Sequence, residues 1–387
     1  MSTRSPHAGV RSTGISVLYT LIAKVKQYPD GVSLGRGDPD FDTPAHIRDA
    51  VRQALDGRDT RPPGQVRAAL LEAIADRHHA INGITLDPET EVVLSQGGQE
   101  ALFLMVLAAL GPGDEVILPE PNYNTYMDAI EFAGATRVVV PTAVEENFAL
   151  DPDRVRAAIT PRTRAIVLVS PNNPTAAVLS PDRMKELAAI AQEHDLLVLS
   201  DEIYDRFLYD DAVHTSPASL PGMKARTLTL NALSKSYSMT GWRLGWVAGP
   251  APLMQQVRRV KESVSGDVSS LSLHAGLAAL TGPQEPLYEM QAAYVRRRLL
   301  MMDKLDRAGL RYGRPQGGQF MLVDIRRTGM SSLDLAARLI DDVHVVVYPG
   351  RSFGEAWDGF VRMTFLQPEP VLADALDRVT TALARMT

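Results

Sequence analysis

From about residue 90 onward, short apolar runs alternate with stretches of helical character, and this rhythm constrains the fold more than any other feature. The runs begin at Glu91, Glu115, Thr136, Ala165, Leu196 and Thr227, and they are rich in Val, Leu and Ile without strict apolar–polar alternation. That is the pattern of strands buried on both faces, and so of a largely parallel sheet between helix layers. Helices are expected over Gln99–Leu110, Tyr123–Phe132, Asp153–Ile159 and Pro181–Glu193. A seventh run, from Leu244, follows the Lys235 region closely and is expected to pair antiparallel. After a helix near Pro252–Val264 the pattern changes. A helix around Tyr288–Ala308, a strand over Gln319–Ile325, a helix near Leu333–Ile340 and strands over Val343–Tyr348 and Phe360–Phe365 suggest a smaller α+β domain. The expected fold class is α/β: a mostly parallel seven-stranded sheet between helices, plus that smaller domain. The expected division is residues 1–45 as an N-terminal arm and part of the small domain, 46–285 as the large domain, and 286–387 as the small C-terminal domain.

Composition narrows the function classes. The 387 residues carry 40 Lys plus Arg against 46 Asp plus Glu, a formal charge of −6, with no basic block. Such a chain is a poor nucleic-acid or membrane-surface binder. It has no cysteine, which excludes disulfides, thiol nucleophiles, Fe–S clusters and cysteine zinc sites, and no metal site is expected. The longest apolar run, Ala101 to Leu110, is too short for a bilayer, which needs about 20 residues. The first fourteen residues are polar and Gly/Ser-rich and lack the apolar core of a signal peptide. They read as a tail or arm, and the protein as cytoplasmic.

In an open α/β sheet, ligands bind beyond the carboxyl ends of the strands, and the polar punctuation falls there. Gly97-Gly98 follows the first run, Pro171-Asn172-Asn173-Pro174 the fourth, Asp201-Glu202 the fifth and Ser234-Lys235 the sixth. Each has an ordinary reading: a surface lysine in a Ser-rich loop, a helix-capping Asp201, an Asn173 serving its turn, a Gly-Gly turn, a Tyr123 packed in the core. Each also has a chemical one. A desolvated Lys235 amine can form a Schiff base with an aldehyde. A part-buried Asp201 needs a cationic partner, and a pyridinium nitrogen would serve. Asn173 offers an amide to a phenolate-like oxygen, and Tyr204 a hydroxyl. Gly98 and Gln99 open a helix whose free N–H groups favour a phosphate, and Arg243 adds a cation. Tyr123 can stack on an aromatic ring.

Taken in order, these residues and the motifs SPNNPT at 170–175, SDEIY at 200–204, SKSYSMTGWRLGW at 234–246 and VRMTF at 361–365 are diagnostic. The chain resembles the fold-type I, pyridoxal-phosphate-dependent class I aminotransferases, the group containing aspartate and arginine:pyruvate transaminases. The resemblance runs from Leu34 to the end. It implies pyridoxal 5′-phosphate as cofactor and Lys235 as its Schiff-base lysine, with Asp201 on the pyridinium nitrogen. Asn173 and Tyr204 would meet the ring hydroxyl, and Tyr123 the ring face. Gly98, Gln99, Ser234 and Arg243 would hold the phosphate. Arg362 would take the substrate α-carboxylate, with Gly37 and Asn173 beside it, which makes the Arg36-Gly37-Asp38 triplet a coincidental adhesion motif. It also implies amino acid and 2-oxo acid substrates, and a homodimer with shared active sites.

Four positions depart from the family pattern. Relatives carry a tyrosine just before the helix equivalent to Ala68–His78, reaching the partner subunit's phosphate. Here residues 58–64 contain none, and Arg61 or Asp59 falls near that place. The usual glycine after Asn-Pro-Thr is Ala176, expected to mean that the turn avoids positive φ. The lysine that meets the distal carboxylate in prokaryotic aspartate transaminases is Gln99, as in arginine:pyruvate-type relatives, which favours a neutral or basic donor. A serine often found three residues before the lysine is Ala232, a change some relatives share. The altered 58–64 segment keeps a rival open: a pyridoxal-phosphate lyase, cyclase or oxidase on the same fold. A binding or regulatory protein on a dead version of the fold would lack Lys235, Asp201 or Arg243, and all are present.

Overall fold

The computed structural model describes residues 14–57, 61 and 64–386; Asp59 and nearly all of the polar N-terminal stretch lie outside the described residues. Seven strands form the main sheet: β1 (Val92–Ser95), β2 (Glu115–Glu120), β3 (Thr136–Pro141), β4 (Thr163–Val169), β5 (Leu197–Asp201), β6 (Thr227–Ala232) and β7 (Gly245–Ala248). Their order is β1-β7-β6-β5-β4-β2-β3. All run parallel except β7, which pairs antiparallel with β6 and β1. The unbroken apolar runs are explained by burial on both faces: every residue of β1, β6 and β7 is buried. β3 lies at an edge, is largely exposed, and ends on Pro141, which has no N–H to offer a further strand.

Helices Gly97–Ala109, Thr125–Phe132 and Ala251–Val264 pack on one face through Leu102, Met105, Ile130 and Val257. On the other face, helices Ala45–Asp56, Gly64–Asn82 and Ser270–Thr281 cover one part and helix Pro181–Glu193 the remainder. The start of the last is written locally: Pro181 occupies the first turn, and the Ser180 hydroxyl accepts from the Arg183 N–H at 3.3 Å.

A second sheet is antiparallel, with β8 (Phe320–Asp324), β9 (Tyr348–Pro349) and β10 (Phe360–Thr364) in the order β9-β10-β8. It packs against helices Glu285–Arg307, Ser332–Val343 and Glu369–Ala384. The single strand expected over Val343–Tyr348 is instead two. Val345–Val346 pairs in parallel with Val32–Ser33, from the other end of the chain, and beyond Val347 the chain turns to β10. A two-residue alternation of apolar side chains cannot show such a change of partner. The Val32–Ser33 pairing directs the following segment, Leu34 to Asp38, across the top of the main sheet. It is pinned there by Leu34 N–H to Val346 O at 2.8 Å and Thr364 N–H to Leu34 O at 2.7 Å.

Ala176 overturns an expectation. Its φ is +60°, so the turn does adopt the left-handed conformation, at roughly 1–2 kcal/mol for a residue with a Cβ. The conformation is held by Ala176 N–H to Asn172 O, and by the Gln316 and Gly317 N–H groups donating to Ala176 O. Its methyl is buried away from the site cavity described next, so it does not crowd a ring bound there.

Candidate active site

At the carboxyl ends of the parallel strands lies a cavity of about 560 Å³. All eleven residues expected from the sequence line it: Gly37, Gly98, Gln99, Tyr123, Asn173, Asp201, Tyr204, Ser234, Lys235, Arg243 and Arg362. A smaller cavity of about 240 Å³ on the far side of the 172–178 turn is mostly apolar and carries neither an amine nor a buried carboxylate.

Lys235 sits in the single helical turn Leu233–Ser236 that follows β6. Its Nζ donates to Gly37 O at 2.6 Å and lies 3.7 Å from Asp38 Oδ1. Burial pulls the amine down to about 8, against the opposing pull of the Asp38 carboxylate. Asp201, the last residue of β5, accepts from Ile203 N–H at 3.1 Å and from the Tyr126 hydroxyl at 3.1 Å. Among the described residues it has no ion-pair partner, and desolvation raises it to about 6. A carboxylate in that state is suited to a cation delivered by a ligand.

Arg362 lies on β10, opposite Leu322 and Tyr348. Its guanidinium is buried, donating to Asn173 Oδ1 at 2.8 Å and to Gly35 O at 2.7 Å. It stands 4.5, 4.8 and 5.2 Å from the ring centres of Phe320, Tyr348 and Phe353. Among the described residues its buried Nε–H has no partner, so part of the fork remains for an incoming carboxylate. Because Asn173 Oδ1 is taken by Arg362, the Asn173 amide has its N–H groups left to donate. Tyr204 packs edge-on against Phe320, and burial raises both its hydroxyl and that of Tyr123.

The opposite end of the cavity suits a phosphate. Gly97 has φ +81°, and a Cβ there would lie 2.7 Å from Arg243 Nη2, so only glycine allows the guanidinium so close to the helix start. Arg243 itself holds a left-handed φ of +54° while donating to Thr240 O and Gln96 O. Strain of this kind, about 1–3 kcal/mol, is characteristic of functional positions. Helix N–H groups, a hydroxyl from Ser234 and a guanidinium thus converge, and the donor set fits pyridoxal 5′-phosphate from end to end.

The family of class I and II aminotransferases matches residues 29–379 of the chain. The protein belongs to that family. The aminotransferase is 41% identical to arginine–pyruvate transaminase of Pseudomonas aeruginosa, covering 98% of this chain and 96% of that one. It is 36% identical to an aspartate aminotransferase of Pyrococcus abyssi, over 97% of this chain and 96% of the other. The solved structure of the Thermus thermophilus aspartate aminotransferase with maleate superposes with a TM-score of 0.91 at 37% identity, covering 100% of both chains.

Sequence reasoning missed several groups of this aminotransferase's site. Tyr126 stands one helical turn beyond Tyr123, and that spacing was the available signal. Asp38 was set aside with its triplet. Phe320 and Tyr348, which cage Arg362, gave no signal, because their contact depends on sheet register. Arg61, one candidate for the missing tyrosine's place, is exposed and does not line the cavity of its own chain.

Proposed function

We propose that this aminotransferase moves the α-amino group of a neutral or basic L-amino acid to a 2-oxo acid in two half-reactions of a ping-pong sequence. The observation that carries this reading is the convergence of the Lys235 amine, the Asp201 carboxylate and the Arg362 guanidinium on one cavity. Pyridoxal 5′-phosphate, when bound there, supplies an aldehyde that condenses with amines and a protonated pyridine ring that accepts the electron pair left at Cα. Asp201 would hold the proton on its ring nitrogen. Asn173 and Tyr204 would donate to its hydroxyl, Tyr123 would pack on its ring, and Gly98, Gln99, Ser234 and Arg243 would anchor its phosphate. Arg362, with Gly37 and Asn173 beside it, takes the substrate α-carboxylate and so fixes which bond at Cα breaks. Lys235 would take the proton from Cα as general base and deliver it, as general acid, to the carbon that the cofactor's aldehyde supplies, a task suited to an amine lowered to about 8.

The donor preference rests on a count of cations. Among the described residues four line the cavity: Arg36, Lys235, Arg243 and Arg362. The last three have tasks, and Arg36 is tied to Asp38. Gln99 brings no charge, so among the described residues the second carboxylate of aspartate finds no free partner. Purified enzyme supplied with one 2-oxo acid should show a higher kcat/KM for arginine or alanine than for aspartate, and a preference for aspartate would refute this part. A homodimer with shared sites, in the cytoplasm, completes the reading.

Tyr126 enters as a support for Asp201. Its hydroxyl lowers the carboxylate's proton affinity, so Tyr126→Phe should let Asp201 protonate at higher pH. The acid limb of the kcat/KM profile then moves upward, with a loss of about 1 kcal/mol, roughly five-fold, on the plateau. An unmoved limb would show that the hydroxyl does not act through Asp201.

A further inference from the structure

We propose that Asp38 is the positioning residue for the free state of Lys235. Its carboxylate docks the amine beside the Gly37 carbonyl when it is not bonded to cofactor and sets its balance between the ammonium and the neutral amine. The proposal rests on the reading of Lys235 as the cofactor lysine.

The two residues come from opposite parts of the chain. Lys235 follows β6, while Asp38 ends the Leu34–Asp38 segment that the Val32–Ser33 pairing carries over the sheet. Nζ donates to Gly37 O at 2.6 Å and lies 3.7 Å from Asp38 Oδ1. Arg36 engages the other oxygen, Oδ2, which leaves Oδ1 turned to the lysine. The pair is partly shielded, with side-chain exposures of 15% for Lys235 and 34% for Asp38.

The surroundings otherwise oppose an ammonium. Arg362 on β10 and Arg243 beyond the 233–236 turn both repel it, and burial disfavours any charge. Asp201, at the end of β5, and the neutral phenols Tyr123 and Tyr204 line the same cavity. Among the described residues, Asp38 is the carboxylate in ion-pair contact with Nζ. An opposite charge within about 4–6 Å moves a titration by about 1–3 pH units. Asp38 therefore sets how much of the amine is neutral, and hence reactive, near neutral pH. The Arg36-Gly37-Asp38 triplet, dismissed as coincidence in the sequence, thereby gains a role in each member.

The test is the pH dependence of Lys235 labelling in the full-length, cofactor-free protein. Trinitrobenzenesulfonate, which reacts with neutral amines, is the probe, and peptide mass mapping gives the rate at this one lysine. The wild-type midpoint is expected near pH 8. In Asp38→Asn it should fall by about one pH unit or more. That variant should label up to about ten-fold faster near neutral pH and converge with wild type in alkali. Asp38→Glu keeps the charge and should restore the midpoint toward wild type. A purely structural role would change the rate at every pH and leave the midpoint in place, and coincident midpoints for wild type and Asp38→Asn overturn the proposal. Borohydride reduction of the loaded enzyme separates the two readings. Cofactor fixed on a residue other than Lys235 would overturn the underlying reading and this proposal with it. Cofactor fixed on Lys235 with coincident midpoints overturns the proposal alone.

Discussion

Replacing Lys235 with alanine should abolish transamination, with kcat reduced by at least about 10²–10⁴-fold, the share of a positioned general base, before the loss of the covalent link is counted. The size of the effect follows from geometry. Among the described residues Lys235 is the amine of the cavity, and Arg243 and Arg362 are guanidinium groups, which donate but do not accept a proton. The variant should fold. Alanine removes an ammonium whose burial is unfavourable, and Asp38 keeps Arg36 as its partner. Hydride reduction of cofactor-loaded wild type should fix the cofactor on the peptide containing Lys235. In Lys235→Ala it should fix none, while thermal unfolding stays near wild type. A variant that retained turnover within ten-fold of wild type would remove Lys235 from the chemistry.

Arg362→Leu is expected to give the second large loss. A buried guanidinium that pairs with a carboxylate is worth about 2–5 kcal/mol when truncated, so kcat/KM for amino acids should fall by roughly 30- to 5,000-fold. The loss should be selective. Simple amines lack the α-carboxylate, so their slow reaction should change far less, and the spectrum of the loaded enzyme should be unaltered. Arg362→Lys should recover only part of the activity. An ammonium cannot reproduce the planar fork that already serves Asn173 and Gly35. Equal losses for amines and amino acids would show that Arg362 acts on folding or cofactor binding instead.

The legible part of this protein is the part written locally. Asp201, Asn173, Lys235 and Gly98 stand at or just beyond strand ends, where a run of Val, Leu and Ile breaks into polar residues. Parallel strands bring such ends to one rim, so the cavity could be assembled on paper. What stayed hidden depends on contacts between distant segments. The break at Val347 follows from a parallel pairing with Val32–Ser33, and the aromatic cage of Arg362 from sheet register. The positive φ of Ala176 is imposed by Gln316 and Gly317, far along the chain, against the residue's own preference. Asp38 is instructive: its motif was visible, but its nearness to Lys235 exists only once the N-terminal segment is laid across the sheet.

The central claim is that the site runs transamination rather than another reaction of the same cofactor, and a half-reaction tests it most directly. Enzyme loaded with pyridoxal 5′-phosphate would be mixed with arginine, alanine or aspartate in turn, with no 2-oxo acid present, and the absorption spectrum followed. Stoichiometric conversion of the cofactor to its amine form, reversed by adding a 2-oxo acid, is the expected result. Product formation that continues past one equivalent without any amine form would contradict it and assign the site to lyase, cyclase or oxidase chemistry.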